Sequence, residues 1–145
     1  MRKHYLSMVA LLVMVVLAAG SVDTGTNGKS TPSTGGSSTL TRKWYEGGTL
    51  HNKSAVEWQS ASREDKLATC ADFVTTMWQD GNLKTAITNN LTSVDDVRTY
   101  AQELVDCIDA AFKPDPDPEQ NRKLFTNQTV SEFAAIGMIT MGWTE

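Results

Sequence analysis

From Thr41 onward the hydrophobic positions recur every three or four residues, the spacing that gathers them on one side of an α-helix. Ser54 followed by Glu57 is a capping-box pattern and predicts a short helix carrying Val56 and Trp58. Ser62 opens a second helix, in which Leu67, Cys70, Ala71, Val74, Met77 and Trp78 form one stripe and Gly81 follows the last turn. A polar stretch through Asn89 and Asn90 holds at most one weak helical turn. Thr92 or Ser93 then caps a third long helix, with Asp95 and Asp96 in the first turn, where the helix dipole favours negative charge. Its stripe is Val94, Val97, Ala101, Leu104, Ile108 and Ala111, flanked by Tyr100, Cys107 and Phe112. The prolines at 114, 116 and 118 stop it, and Asp117 with Pro118 starts another short helix. Thr129 and Glu132 form a second capping box before the last stripe of Val130, Phe133, Ala134, Gly137 and Met141. No segment alternates at period two long enough to insist on a strand. The predicted fold is all-α: a small bundle of four or five helices.

The first forty residues have a different pattern. Arg2, Lys3 and His4 precede an apolar run from Met8 to Ala19, too short to span a bilayer and suited to the core of a secretory signal. Small residues at Ala18, Ala19 and Gly20 offer a cleavage site before Ser21. Residues 21–39 are rich in Ser, Thr and Gly and read as a solvated linker. The expected organisation is therefore a signal peptide over 1–20, a linker over 21–39 and a single helical domain over 40–145. Residues 17–20 also resemble the lipobox of bacterial lipoproteins, except that Ser21 stands where the lipid-bearing cysteine would be. A lipid anchor is expected only if Ser21 replaces a natural cysteine. The expected location is the bacterial periplasm or cell envelope, with no membrane span in the mature chain.

Composition narrows the partners. With 40% apolar and 21% charged residues the chain is ordinary globular material. Thirteen basic and seventeen acidic residues give a net charge of −4, and loss of Arg2 and Lys3 with the signal would make it −6. A mildly acidic body with no basic run argues against nucleic acid or an anionic membrane surface. A protein partner or an unfolded client remains, with a homodimer also allowed. Two cysteines and one mature histidine leave no room for a zinc finger or a multi-histidine metal site, so neither metal nor cofactor is expected.

Cys70 and Cys107 lie on the inner faces of the two long helices, and a hairpin turning near residues 81–93 brings them to similar heights. Behind a signal peptide this placement predicts a disulfide joining the two central helices, the alternative being two buried free thiols. His51 is the one mature histidine, so any triad chemistry must pass through it, and nothing in the sequence fixes a nucleophile beside it. Asp115, Asp117 and Glu119 alternate with proline but lack the spacing of a calcium loop and read as a stiff connector. Trp44 and Tyr45 lie outside any helical stripe. With His51 they form the candidate binding surface. Asn52, Asn90 and Asn127 each begin an Asn-x-Ser/Thr triplet, which matters only in a glycosylating host.

Two resemblances can be placed on these residues. The block from Trp44 through Glu46, Gly47, Gly48 and His51, then Glu57 with Trp58, then Leu67 through Phe73, resembles a group of short exported bacterial proteins of unknown function. Thr69 to Phe73 together with Leu104 to Cys107 resembles the HdeA-type periplasmic acid-stress chaperones. The second resemblance implies a small disulfide-stapled helical protein that exposes apolar surface to clients in acid. The expected function is accordingly a non-enzymatic exported binding protein, first as an HdeA-like chaperone. The alternative is a partner-specific module, such as an immunity or exclusion-type inhibitor of an envelope protein. A hydrolase using His51 ranks third.

Overall fold

The computed structural model describes residues 42–144; the expected signal peptide and linker lie outside them. The described chain is all-α, with six helices: α1 (Ala55–Ser60), α2 (Arg63–Gln79), α3 (Thr85–Thr88), α4 (Val94–Ala111), α5 (Pro118–Phe125) and α6 (Val130–Thr140). The count exceeds four or five because the weak turn expected near Asn89 is a separate single-turn helix, α3, ending one residue earlier. No described helix is long and apolar enough to cross a membrane.

Local chemistry starts these helices where the sequence expects. Ser54 and Thr129 each accept a hydrogen bond from the third residue of the helix they cap, while Glu57 and Glu132 reach back to the cap backbone. Ser62 caps α2 by accepting from the Asp65 amide, and Asp117 caps α5 ahead of Pro118. A cap of this kind stabilises a helix by about 1 kcal/mol. Ser93 and Asp96 form a third capping box at α4, while those of α1 and α6 stand back to back. Ala55 donates to the Gln128 carbonyl at 2.8 Å and Val130 to the Lys53 carbonyl at 2.9 Å, so the first turns of α1 and α6 are tied together.

The long helices α2 and α4 make the most extensive contact, α6 packs on α4, and α5 packs on α1. Cys70, Ala71 and Val74 from α2 meet Val97, Ala101, Leu104, Val105 and Ile108 from α4 in one core, which Trp58, Phe112 and Val130 extend. Not every stripe position holds. Val94 lies on the surface, whereas Ala68, Thr69, Val105 and Met138, outside the expected stripes, are buried. The segment before α1 crosses α2 so closely that a Cβ on Gly48 would lie 2.6 Å from both the N and Cα of Thr69. Only glycine permits that approach.

The expected disulfide is corrected: Cys70 and Cys107 are both free thiols, Cys70 buried and Cys107 half-buried. Similar height on neighbouring helices does not by itself aim two sulfurs at each other. Cys107 stays close enough to Cys70 to help raise its pKa, and it also packs toward α6, where a Cβ on Gly137 would lie 3.2 Å from its Sγ. Burial above all, followed by the charge of Asp109, pushes the Cys70 thiol up, and burial does the same to Cys107. Both are therefore poor sources of the thiolate that disulfide exchange requires.

Candidate interaction surfaces

The segment from Arg42 to Leu50 is held onto the helix pair by side chains at its two ends. Near its start, the Trp44 indole donates to Asp95 Oδ1 at 3.2 Å, reaching the first turn of α4. Near its end, Thr49 donates through its amide and hydroxyl to the two oxygens of Asp65, at 2.8 and 2.6 Å, and Leu50 donates to the buried Thr69 hydroxyl. Arg42 bonds back to the carbonyls of Glu46 and Gly47, closing the turn.

This anchoring places Trp44 and Tyr45 together, edge to face at 5.4 Å. The Arg98 guanidinium lies 5.4 Å from the centre of the Trp44 ring, and the Lys43 ammonium 5.6 Å from that of Tyr45. Hydrogen bonding to the Tyr45 side chain, with the nearby Glu46 charge, raises the Lys43 pKa. Ser93, Val94 and Asp95 complete a shallow cleft of about 380 Å³. Half-buried aromatic rings flanked by Arg and Lys suit protein contact, since Trp, Tyr and Arg carry much of the energy of interfaces.

His51 does not line this cleft. Its Nε2 lies 3.2 Å from Asp72 Oδ2, and its ring packs edge-on against Phe73 at 5.1 Å. Burial raises the Asp72 pKa, and His51 opposes that shift. Among the described residues no hydroxyl or thiol is hydrogen-bonded to His51. The expected binding trio therefore divides into an aromatic pair at the start of α4 and a histidine partnered along α2.

The other candidates have local roles. In the proline-rich connector, the Asp117 amide donates to Asp115 Oδ1, and Asp117 itself caps α5. No cluster of three metal-ligating side chains occurs among the described residues. The Asn-x-Ser/Thr triplets coincide with helix starts. Ser54 and Thr129 are the caps of α1 and α6, and the Thr92 hydroxyl donates to Asp96 at 2.8 Å beside the cap of α4.

Two features escape the sequence pattern. On α6, Ala135, Ile136 and Ile139 face outward, with Ile136 39% and Ile139 64% exposed. Ala135 and Ile139 line a groove of about 350 Å³ together with Met77, Leu83, Met138 and Thr144. Glu132 is the one charged residue of this helix, so an apolar excess was legible, but not which apolar residues would remain outside. The second feature is Asp109 on α4. Its Oδ1 accepts from the buried Trp58 indole and from Lys66 Nζ, both at 2.8 Å, while Lys66 lies 5.3 Å from the Trp58 ring centre. A buried tryptophan needs a partner for its N–H, which was the available signal; three-dimensional packing chose Asp109.

Comparison of the chain with protein-family models, characterised proteins and solved structures finds no match.

Proposed function

We propose that this chain is an exported, non-enzymatic protein of the bacterial envelope that binds apolar segments of other proteins, acting as an HdeA-like chaperone under acid stress. The observation carrying this reading is the outer face of α6, where Ile136 and Ile139 meet solvent on a helix with one charged residue. Exposed apolar surface beside a groove is the physical requirement for holding an unfolded client. Ile136 is already outside at rest, whereas Val130 is fully buried and Phe133 and Met141 are half-buried. Acid loosening would add the buried residues to the surface that Ile136 and Ile139 begin.

The acid response has a physical basis in the caps. Hydrogen bonds from the Ser54 backbone first, then from Lys53 and the Ser54 hydroxyl, hold the Glu57 pKa down at about 2. The Thr92 amide and hydroxyl, followed by Ser93, hold Asp96 down at about 2. A carboxylate with a depressed folded pKa stabilises the fold above its unfolded value, near 4, and loses that contribution as pH falls through the folded value. The caps of α1 and α4 would therefore weaken between about pH 4 and 2, as the mature chain becomes strongly positive.

A second reading, a module specific for one envelope partner, is favoured by the Trp44–Tyr45 cleft with Arg98 and Lys43. Suppression of aggregation of several unrelated acid-denatured proteins separates the two. The chaperone reading requires broad protection that is reduced by Ile139→Asp and unaffected by Trp44→Ala. Protection of none, together with capture of one partner lost in Trp44→Ala, overturns it in favour of the specific module.

A further inference from the structure

We infer that the groove between the end of α2 and α6 seats one extended, uncharged apolar segment of a client polypeptide, whose backbone meets the Thr144 hydroxyl. This inference deepens the reading of α6 as a client surface and rests on it for its purpose. Ala135, Met138 and Ile139 recur at helical spacing and form the α6 wall of the groove. Met77, near the end of α2, and Leu83, in the turn after it, form the other wall. Backbone hydrogen bonds join the two walls. The Lys84 amide donates to the Trp143 carbonyl at 2.8 Å, and the Trp143 amide donates to the Met138 carbonyl at 2.9 Å. Thr144 stands opposite Leu83 beside this tie. A groove formed in advance spares its occupant the entropy of ordering it.

The chemistry of the lining selects the occupant. Among the described residues no charged side chain lines the groove, in a chain of which 21% is charged. It therefore complements a neutral segment and offers no counter-charge to a carboxylate or phosphate headgroup. Methionines stand on both walls, and their unbranched side chains repack around apolar groups of different shape. That suits an occupant of no fixed sequence. The Thr144 hydroxyl oxygen is buried and has no hydrogen-bond partner among the described residues. Such an atom is costly to leave unpaired. Rotation of Thr144 about χ1 turns the hydroxyl toward the groove that this residue lines, where a peptide N–H or C=O satisfies it. An alkyl chain would fit the same walls but leave the hydroxyl unpaired. A polypeptide supplies both the apolar side chains and the polar backbone.

The test titrates the full chain at pH 7 into a fluorescein-labelled, end-capped peptide of alternating leucine and serine, followed by anisotropy. A glycine–serine peptide of the same length should bind about tenfold more weakly or worse. Ala135→Phe fills the exposed mouth of the groove and should weaken the leucine peptide about tenfold. Leu124→Ser, which removes an exposed apolar side chain on α5, should match the wild type. Thr144→Val should weaken the leucine peptide about three- to tenfold while raising the urea midpoint of the free protein, because the unpaired hydroxyl is gone. A merely structural Thr144 would not move the two in opposite directions. Equal binding of the two peptides overturns the inference, and so does leucine-peptide binding unchanged in Ala135→Phe. Both results stand even if Thr144→Val fails to fold. Laurate that displaces the peptide and is indifferent to Thr144→Val overturns it in favour of an alkyl ligand. A dimer in sedimentation that Ala135→Phe dissociates overturns it in favour of a second copy. Client protection in acid is scored separately. Groove-dependent peptide binding without protection supports the inference and overturns the chaperone reading, whereas protection lost in Ile139→Asp but kept in Ala135→Phe does the reverse.

Discussion

Helices α4 and α6 both pack on the core, yet they treat solvent in opposite ways. α4 buries Val97, Ala101, Leu104, Val105 and Ile108 and shows water Arg98, Gln102, Glu103 and Asp106. α6 buries Val130, Ala134, Gly137 and Met138 and shows water Ala135, Ile136 and Ile139 between Glu132 and Thr140. The first is an amphipathic helix whose polar face has no further use for apolar contact. The second is apolar nearly all round, a composition that suits a helix covered on every side. One helix of this pair is finished by the fold, and the other leaves apolar side chains in water.

Substitutions at the two places should separate most widely in stability. Trp58→Ala, which empties the site beside α4 and removes the indole donor from Asp109, is expected to cost about 3–5 kcal/mol. Ile139→Asp, on the outer face of α6, should stay within about 0.5 kcal/mol of the wild type. Urea unfolding followed by circular dichroism measures both. Similar losses at the two sites would mean that the outer face of α6 is covered within the folded chain. The next effect is Gly48→Ala. The added Cβ meets Thr69 backbone, which cannot rotate aside, so about 1–3 kcal/mol should be lost in the same assay.

A smaller effect appears in the pH dependence of stability. The contributions of Glu57 and Asp96 are present above about pH 4 and should fade toward pH 2. Glu57→Gln or Asp96→Asn should flatten the stability curve across that window. Asp72 has the opposite sign, because its pKa is raised, so its protonation favours the folded state as pH falls. Asp72→Asn should therefore remove a stabilising trend in acid, seen as a steeper loss. The smallest effect on stability is that of reductant, which should leave the unfolding midpoint unchanged. Thiol labelling of unfolded, unreduced protein should find two thiols per chain, with slow labelling in the native state. No labelled thiol would mean that a Cys70–Cys107 bond joins α2 and α4 covalently.

Much of the fold was legible because its signals are local. Ser54, Ser62, Ser93, Asp117 and Thr129 each start a helix with atoms found within a few residues, so neighbours in sequence carry the whole interaction. The prolines after α4 stop it by their own covalent geometry. The stripes of α2 and α4 identified the central pair for the same reason, since periodicity is a property of one segment. The candidate site was legible only in part. Trp44 and Tyr45 stood out by lying off every stripe, and they do share a cleft, but His51 does not join them. Its position depends on Asp72, twenty-one residues away on another helix.

Sequence alone thus determined the helical class, the starts and stops of the main helices, and the pair at the centre. It did so through caps, prolines and periodic apolar positions, all of which act within one or two turns. Only the tertiary structure decided that Cys107 faces Gly137, that Trp58 and Lys66 share one oxygen of Asp109, and that Ile136 and Ile139 remain outside. Each of those outcomes depends on the rotation of one helix about its axis relative to another. That rotation is set by the joint packing of all the helices, which no single segment of sequence encodes.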